Sequence, residues 1–182
     1  MNLIFRTIVQ WFRSRRASTL HVHDVGRTDF HVLPTDLDVL GHMNNGVYFS
    51  IMDLGRMDLM IRAGSWAALK RHGFYPVASN ETITFRKSLQ PWQRFTLETK
   101  IVGYDAKAVF VEQRFVVKGE IYAQAFMRGR FLKKTGGTVS LAELADALGV
   151  DTTQVTLPAW LARWSDDVVL PATRADAPSE WS

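Results

Sequence analysis

The sequence predicts an α+β fold in which an antiparallel sheet of about five to six strands wraps around one long, buried helix. Residues 45–63 contain no proline and are apolar on nearly every face, which is typical of a helix enclosed by other elements. The segments that follow are β-branched and aromatic, alternate partially and are separated by short turns. This pattern favours an antiparallel meander.

The remaining elements are expected around this core. A first strand is predicted at residues 28–33, where Pro34 ends it, and a short helix at 65–72 follows the long one. The later strands are predicted at 82–86, 94–102, 108–117 and 121–132. Beyond Gly136, short helices are expected at 141–148 and 158–164, and residues from 172 onward have the composition of a frayed tail.

Composition narrows the class of protein. A chain of 182 residues with 47% hydrophobic residues is large enough for one domain with a real core. The absence of cysteine excludes disulfides, thiolate metal ligation and a cysteine nucleophile, and the cytoplasm is the simplest location. The net charge of +4 comes from four arginines that precede the first acidic residue, Asp24, and the rest of the chain is balanced. This distribution argues against nucleic-acid binding.

Residues 1–18 predict a basic amphipathic helix, which we separate from a main domain at 19–135 and from short helices and a tail at 136–182. Its apolar residues are Leu3, Ile4, Phe5, Ile8, Val9, Trp11 and Phe12, and Arg6, Gln10 and Arg13 recur on the opposite side. The segment is too short to span a bilayer and has no cleavage site. Three alternatives remain: peripheral contact of residues 1–16 with a membrane surface, an organelle transit peptide, or packing on its own domain or a partner.

A dense polar cluster at residues 36–48 leads into the long helix and carries the candidate chemistry. Asp38 is the better catalytic candidate, because an aspartate with a pKa of about 4 is ionised at neutral pH and can attack an acyl carbon or orient water. Asp36 is equally compatible with a turn or loop carboxylate. His42 is a candidate base or a residue that holds the loop by hydrogen bonding.

The start of the long helix is a second candidate feature. Asn44 or Asn45 is suited to cap the helix. The free amide donors and the helix dipole also favour negative charge there, so that a docked carbonyl would be polarised. Gly41 and Gly46 have no side chains and would let a ligand approach the backbone closely.

Other kinds of site receive little support. The sequence has no G-x-S-x-G elbow, P-loop or dinucleotide fingerprint. His21 and His23 form a weak metal pattern without a recognisable third ligand, and an exposed strand pair is the alternative. We therefore predict neither a metal nor a cofactor.

The cluster Asp-x-Asp-x-x-Gly-His-x-Asn-Asn-x-x-Tyr before a long helix resembles that of the hotdog-fold acyl-CoA thioesterases of the 4-hydroxybenzoyl-CoA thioesterase type. Together with Glu-Gln-Arg-Phe at 112–115 and Arg-Gly-Arg-Phe at 128–131, it looks closest to the thioesterase-superfamily-like branch that has the His-Met-Asn-Asn motif. The likeness covers residues 28–132.

This resemblance implies a thioesterase acting on acyl-CoA or an acyl-carrier thioester, as a homodimer or a tetramer of dimers with active sites between subunits. It implies that Asp38 attacks the thioester carbonyl or directs water to it. The backbone amide of Asn45 would bind the thioester oxygen, with Gly46 next to it. Some relatives have a histidine at the position of Asn45, so no imidazole acts there in this chain.

Residues expected to contact substrate are Gly41, Asn44, Tyr48, Arg86 and Arg128. Arg86, Lys87, Arg128 and Arg130 are possible cations for the CoA arm, or ordinary strand arginines and lysines. Met52, Met57 and Met60 would line an acyl pocket or fill the core. Asp53 and Asp58 are either functional helical carboxylates or partners of Arg56 and Arg62.

Four functions remain open at this point. The first is thioester hydrolysis, and the second is non-catalytic binding of an acyl-CoA or acyl carrier. The third is hydration of an enoyl thioester, which pairs an aspartate with a histidine, and the fourth is a membrane-associated structural role.

Overall fold

The structure, a computed structural model, describes residues 4–171 and 175–179. Leu3 of the predicted helix and parts of the predicted tail lie outside the described residues. The elements in chain order are α1 (Ile4–Arg16), β1 (Gly26–His31), α2 (Asn45–Arg62), α3 (Ser65–His72), β2 (Phe74–Phe85), β3 (Arg94–Tyr104), β4 (Ala108–Val117), β5 (Glu120–Lys133), α4 (Leu141–Leu148) and α5 (Ala159–Asp167). Short 3₁₀ turns lie at Pro34–Asp36 and Thr152–Gln154.

The five strands form one antiparallel sheet in the order β1-β3-β4-β5-β2, and α2 packs against it. The predicted α+β class, with about five strands and one long helix, is confirmed. The prediction of one continuous meander is wrong for β2, which pairs with β5 rather than with β3. Residues 86–93 do not form a hairpin between β2 and β3 but cross the end of the sheet. They begin beside β5, because the N–H groups of Arg86 and Lys87 both donate to the carbonyl of Tyr122.

The bounds of the strands depend on their position in the sheet. The central strand β4 has the predicted bounds, because most of its residues are buried and strongly β-forming. The edge strand β2 begins at Phe74, eight residues before the predicted start. Its first half contains Pro76 and shows no alternation of burial. An edge strand can contain a proline and does not need alternating burial, which explains the error in the predicted start.

Helix α2 lies in the core but is not buried on every face, contrary to the prediction. Asp53 is exposed, and Phe49 and Met60 are only partly buried. Gly55 lets α2 approach β3 closely, because a Cβ at this position would lie 2.4 Å from Leu97 Cδ2. The side chain of Leu97 therefore packs directly against the backbone of the helix at this point.

The C-terminal helices pack on the same core. Leu144 of α4 joins a buried cluster that includes Val22 and Leu59, and Leu161 of α5 packs on Ala108 and Phe110. The domain boundaries given above stay a prediction. Within the described residues, no helix combines the length and the hydropathy needed to cross a bilayer.

Candidate active site

The loop before α2 is a tight hairpin that presents Asp38. Leu37 and Met43 form an isolated antiparallel bridge, and the N–H of Asp38 donates to the carbonyl of His42 at 2.9 Å. The N–H of Gly41 donates to the carbonyl of Asp38 at 3.1 Å, and Gly41 has a φ of 79°. This left-handed conformation is the reason for a glycine here. The assignment of Gly41 to substrate binding stays a prediction.

Asp38 and His42 are brought together by this hairpin. Asp38 Oδ2 lies 3.3 Å from His42 Nδ1, and Asp38 Oδ1 accepts a hydrogen bond from the N–H of Leu40 at 2.8 Å. The side chains keep 20% and 28% of their surface exposed, respectively, so that both can meet a ligand. This contact brings together the aspartate and the histidine that the hydratase hypothesis pairs.

The start of α2 has a defined cap. Asn44 is the N-cap residue, and its side-chain oxygen accepts from the N–H of Gly46 at 2.8 Å. The carbonyl of Asn44 accepts from the N–H of Val47 at 2.9 Å. In the described part of the chain, the N–H of Asn45 meets no acceptor. Of the two expected donors, Gly46 therefore serves the cap, and the N–H of Asn45 is free to bind a ligand.

Asp36 lies in a 3₁₀ turn, as the sequence allowed, and its carboxylate also binds a second element. Its side chain is only 2% exposed and accepts from both terminal nitrogens of Arg6, at 3.2 and 2.8 Å. It also accepts from the N–H of Leu33 at 2.8 Å, and its carbonyl accepts from the N–H of Asn44. Asp36 therefore ties α1 to the loop that carries Asp38.

Tyr48 lies in the core rather than on a surface that substrate can reach, which corrects its expected role. The side chain is buried, and its hydroxyl accepts from the N–H of Leu89 at 3.3 Å. Its ring packs edge-on against Phe85 and Phe115. Burial raises the pKa of the phenol. Tyr48 positions α2 against the sheet.

The two predicted substrate arginines are both engaged by carboxylates. Arg86 Nη1 donates to Glu120 Oε1 at 2.7 Å, in the β4–β5 hairpin. Arg128 donates to Asp105 at 3.0 and 2.8 Å, in the β3–β4 connection. The two hairpins lie at opposite ends of an antiparallel sheet, and Phe85 before Arg86 contacts Tyr48 in the first turn of α2. Arg86 therefore lies at the same end as the cluster, whereas the partner of Arg128 lies at the other end.

Lys87 is a second cation beside Arg86, at the end of the sheet where the polar cluster of residues 36–48 lies. Its ammonium lies 2.8 Å from Glu120 Oε2. Hydrogen bonds from Lys87 and Arg86 lower the pKa of the Glu120 carboxyl. Two cations thus share one carboxylate, and a net positive charge remains for an anion.

An apolar cavity of about 180 Å³ lies between the C-terminal half of α2 and the sheet. Its walls include Leu59, Met60, Ile101, Val111, Met127 and Phe131. Of the three methionines expected at a pocket, only Met60 lines this cavity, whereas Met52 is fully buried in the core and Met57 packs against it. The sequence analysis did not locate the cavity, because its walls come from seven helices and strands whose pairing is not local.

A polar group marks the rim of this cavity. Arg56 contacts Asp53 and donates to Gln113 Oε1 at 2.9 Å. Its Nη1 also lies 2.8 Å from Glu81 Oε1, although the alignment there falls short of a hydrogen bond. Burial raises the pKa of the Glu81 carboxyl, and the charge of Arg56 opposes this shift. Asp58 pairs with Arg62, so both helical carboxylates have the arginine partners that the sequence suggested.

The histidines at 21 and 23 have structural partners. His23 lies 3.1 Å from Gln154 Oε1 and 2.8 Å from the hydroxyl of Tyr104. Across the described residues, no group of three or more His, Asp or Glu side chains is placed to hold a metal ion.

The sheet around α2 and the polar hairpin at its N-terminus define the class of protein. Residues 32–165 match the model of the thioesterase-like superfamily, and the chain belongs to this family. Protein THEM6 of Xenopus laevis is 38% identical over 99 residues, which are 54% of this chain and 48% of that protein. The chain thus spans about half the length of the curated relatives it matches.

Solved structures show the same fold. The probable thioesterase YbaW of Escherichia coli superposes with a TM-score of 0.63 at 23% identity, over 67% of this chain and 95% of that chain. The hypothetical protein SAV2348 of Staphylococcus aureus, solved in complex with CoA, superposes with a TM-score of 0.62 at 14% identity, over 85% and 100% of the two chains. The expected hotdog fold is confirmed.

Proposed function

We propose that this protein hydrolyses an acyl-CoA thioester to the free acid and CoA. The observation that carries the proposal is the hairpin that holds the Asp38 carboxylate and leads directly into α2, where the N–H of Asn45 is free. A thioester carbonyl that accepts from this N–H is polarised, because the donor and the helix dipole both favour negative charge on its oxygen.

Asp38 supplies the second half of the reaction. In one route its carboxylate attacks the acyl carbon, the C–S bond breaks to release CoA thiolate, and water then hydrolyses the resulting anhydride to the free acid. In the other route the carboxylate takes a proton from a water that attacks the acyl carbon, and the CoA thiolate leaves and is protonated. His42, 3.3 Å away, orients the carboxylate, while the N–H of Leu40 holds its other oxygen. Asn44 acts indirectly, because its side chain caps α2 and so orders the first turn of the helix.

The membership of the thioesterase-like superfamily supports this reaction class. The CoA complex of SAV2348 makes CoA a reasonable carrier to test here. We assign the CoA phosphates to Arg86 and Lys87, because they lie at the cluster end of the sheet with one carboxylate between them. Arg128 is the weaker candidate, since its Asp105 partner lies at the opposite end.

We assign the acyl tail to the apolar cavity. The rim residue Asp53 follows Asn45 by eight residues, so the cavity opens about 12 Å along α2 from the amide that would hold the carbonyl. This separation favours acyl groups long enough to cover it. We therefore expect kcat/KM to rise with acyl length until the cavity is filled.

A homodimer fits the shape of the sheet. Strand β2 pairs with β5 on one side only, so the other edge of this 12-residue strand presents unpaired backbone groups. Edge-to-edge pairing of two copies would satisfy them. Light scattering at several concentrations tests this proposal, and a strictly monomeric mass contradicts it.

The test of the activity is a panel of acyl-CoAs of increasing length, with release of the free thiol as the readout. Asp38→Asn keeps the shape of the side chain and removes its charge, and we expect it to lower kcat by about 10²- to 10⁴-fold. Asp176→Asn is the matched control, because Asp176 is exposed in the tail. Equal rates for Asp38→Asn and wild type would remove Asp38 from the mechanism.

A second candidate is hydration of an enoyl thioester, and the contact between Asp38 and His42 favours it. Loss of the enoyl absorbance of crotonyl-CoA without release of thiol would identify this activity. Tight binding of acyl-CoA with neither reaction would identify the third candidate, a non-catalytic acyl-CoA binding protein.

A further inference from the structure

Helix α1 has its polar face directed toward the protein. Arg6, Gln10 and Ser14 are four residues apart and therefore share one face. Arg6 binds the carboxylate of Asp36, while Gln10 Nε2 and Ser14 Oγ donate to Asp58 Oδ1 at 3.0 and 2.6 Å. Gln10 and Ser14 are buried by this contact. Bonds to two buried carboxylates thus set the rotation of the helix about its axis.

The apolar face of α1 is consequently exposed. Phe5 and Phe12 keep 72% and 54% of their surface accessible, and Ile4, Ile8 and Val9 of the same stripe are also exposed. A surface helix ordinarily buries such a stripe against its own domain. Here the hydrogen bonds of the opposite face prevent that. A contiguous exposed apolar stripe on a folded domain indicates a contact surface.

The charge around this stripe selects the kind of partner. Arg13, Arg15 and Arg16 lie in its last turn, are exposed, and follow Phe12 directly. The described residues of α1 contain no carboxylate. A second copy of the same helix would therefore offer the three arginines no counter-charge. Lipid phosphates next to acyl chains offer both an apolar interior and negative charge.

We propose that the exposed face of α1 docks the protein on an anionic phospholipid bilayer. Phe5, Phe12 and the aliphatic residues of the stripe enter the boundary between headgroups and acyl chains, and the three arginines bind the headgroups. The helix lies in the plane of the membrane surface, because Arg6 holds it against the domain.

The experiment is co-sedimentation of the full chain with vesicles of phosphatidylcholine alone and of phosphatidylcholine mixed with phosphatidylserine. We expect binding that requires phosphatidylserine and weakens as salt is raised. F5S/F12S should abolish it, and R13Q/R15Q/R16Q should weaken it by about fivefold for each arginine removed. V169S/L170S is the matched control, because these two apolar residues are exposed elsewhere.

Each variant changes only exposed side chains, so wild-type melting temperatures are expected and verify folding. Failure of the wild type to bind the anionic vesicles would overturn the proposal, as would wild-type binding by F5S/F12S. A smaller mass of F5S/F12S without lipid would also overturn it, since a second copy would then cover the face. None of these readouts depends on thioester hydrolysis.

Discussion

The ion pair between Arg6 and Asp36 is expected to be a main source of stability for the loop that carries Asp38. Asp36→Asn keeps the shape of the side chain but removes the charge that faces the guanidinium. Arg6 is only 19% exposed and would lose a partner that it now meets with two nitrogens. Removing one member of a buried pair costs about 3–5 kcal/mol. Because Arg6 keeps some contact with water, we expect the lower end, about 3 kcal/mol.

The assay is urea unfolding followed by circular dichroism, together with thermal unfolding. For a chain of this length, a loss of that size corresponds to a fall in Tm of roughly 6–12 °C. Arg6→Met provides the second edge of a double-mutant cycle. The double variant should lose less than the sum of the single losses, by about 1–3 kcal/mol, because neither charge is then left buried alone.

Two results would refute this reasoning. One is an Asp36→Asn protein within about 0.5 kcal/mol of wild type, which is the range of ordinary surface substitutions. The other is strict additivity in the cycle, which would show that the two side chains do not interact in solution.

Three further outcomes are expected. Gly55→Ala should destabilise by about 1–3 kcal/mol in urea unfolding despite the better helix propensity of alanine, because its Cβ would lie 2.4 Å from Leu97 Cδ2; unchanged stability would contradict this packing. Asn44→Ala should cost about 1 kcal/mol and lower kcat, because the cap that orders the first turn of α2 is lost; Asn44→Ser should restore both. Hydrogen bonds from Lys133 and Ser140 lower the pKa of the Glu143 carboxyl to about 2. The stability that this carboxylate contributes is therefore present above pH 4.5 and is lost as the pH falls toward 2. Glu143→Gln should melt at a lower temperature than wild type at pH 7 and at the same temperature near pH 2.

Local patterns predicted the elements that local forces determine. The long helix was expected at 45–63 and lies at Asn45–Arg62, since its apolar residues recur over five turns and an asparagine begins it. The bounds of α3 and β4 were also predicted. The first half of β2 was not, because an edge strand with a proline lacks the alternation that identifies a strand.

The structure of the polar cluster at residues 36–48 was predicted in part for the same reason. Residues 36–48 are contiguous, so their composition alone indicated a loop that leads into a helix with a free amide. The pairing of Asp38 with His42 was suggested only under the hydratase hypothesis, because the contact itself requires the turn at Gly41. Asp36 lies in a turn, as the sequence allowed, but its pairing with Arg6 was not predicted, since Arg6 is 30 positions away in another helix.

By itself, the sequence determined the α+β class, the buried helix with its asparagine cap, and the aspartate loop before it. These features depend on periodicity, capping and short-range hydrogen bonds, which neighbouring residues specify. Only the tertiary structure decided the pairing of β2 with β5, the position of the apolar cavity, and the face of α1 that meets solvent. Each of these depends on contacts between segments far apart in the chain. For α1, buried carboxylates at Asp36 and Asp58 outweigh the burial of an apolar stripe.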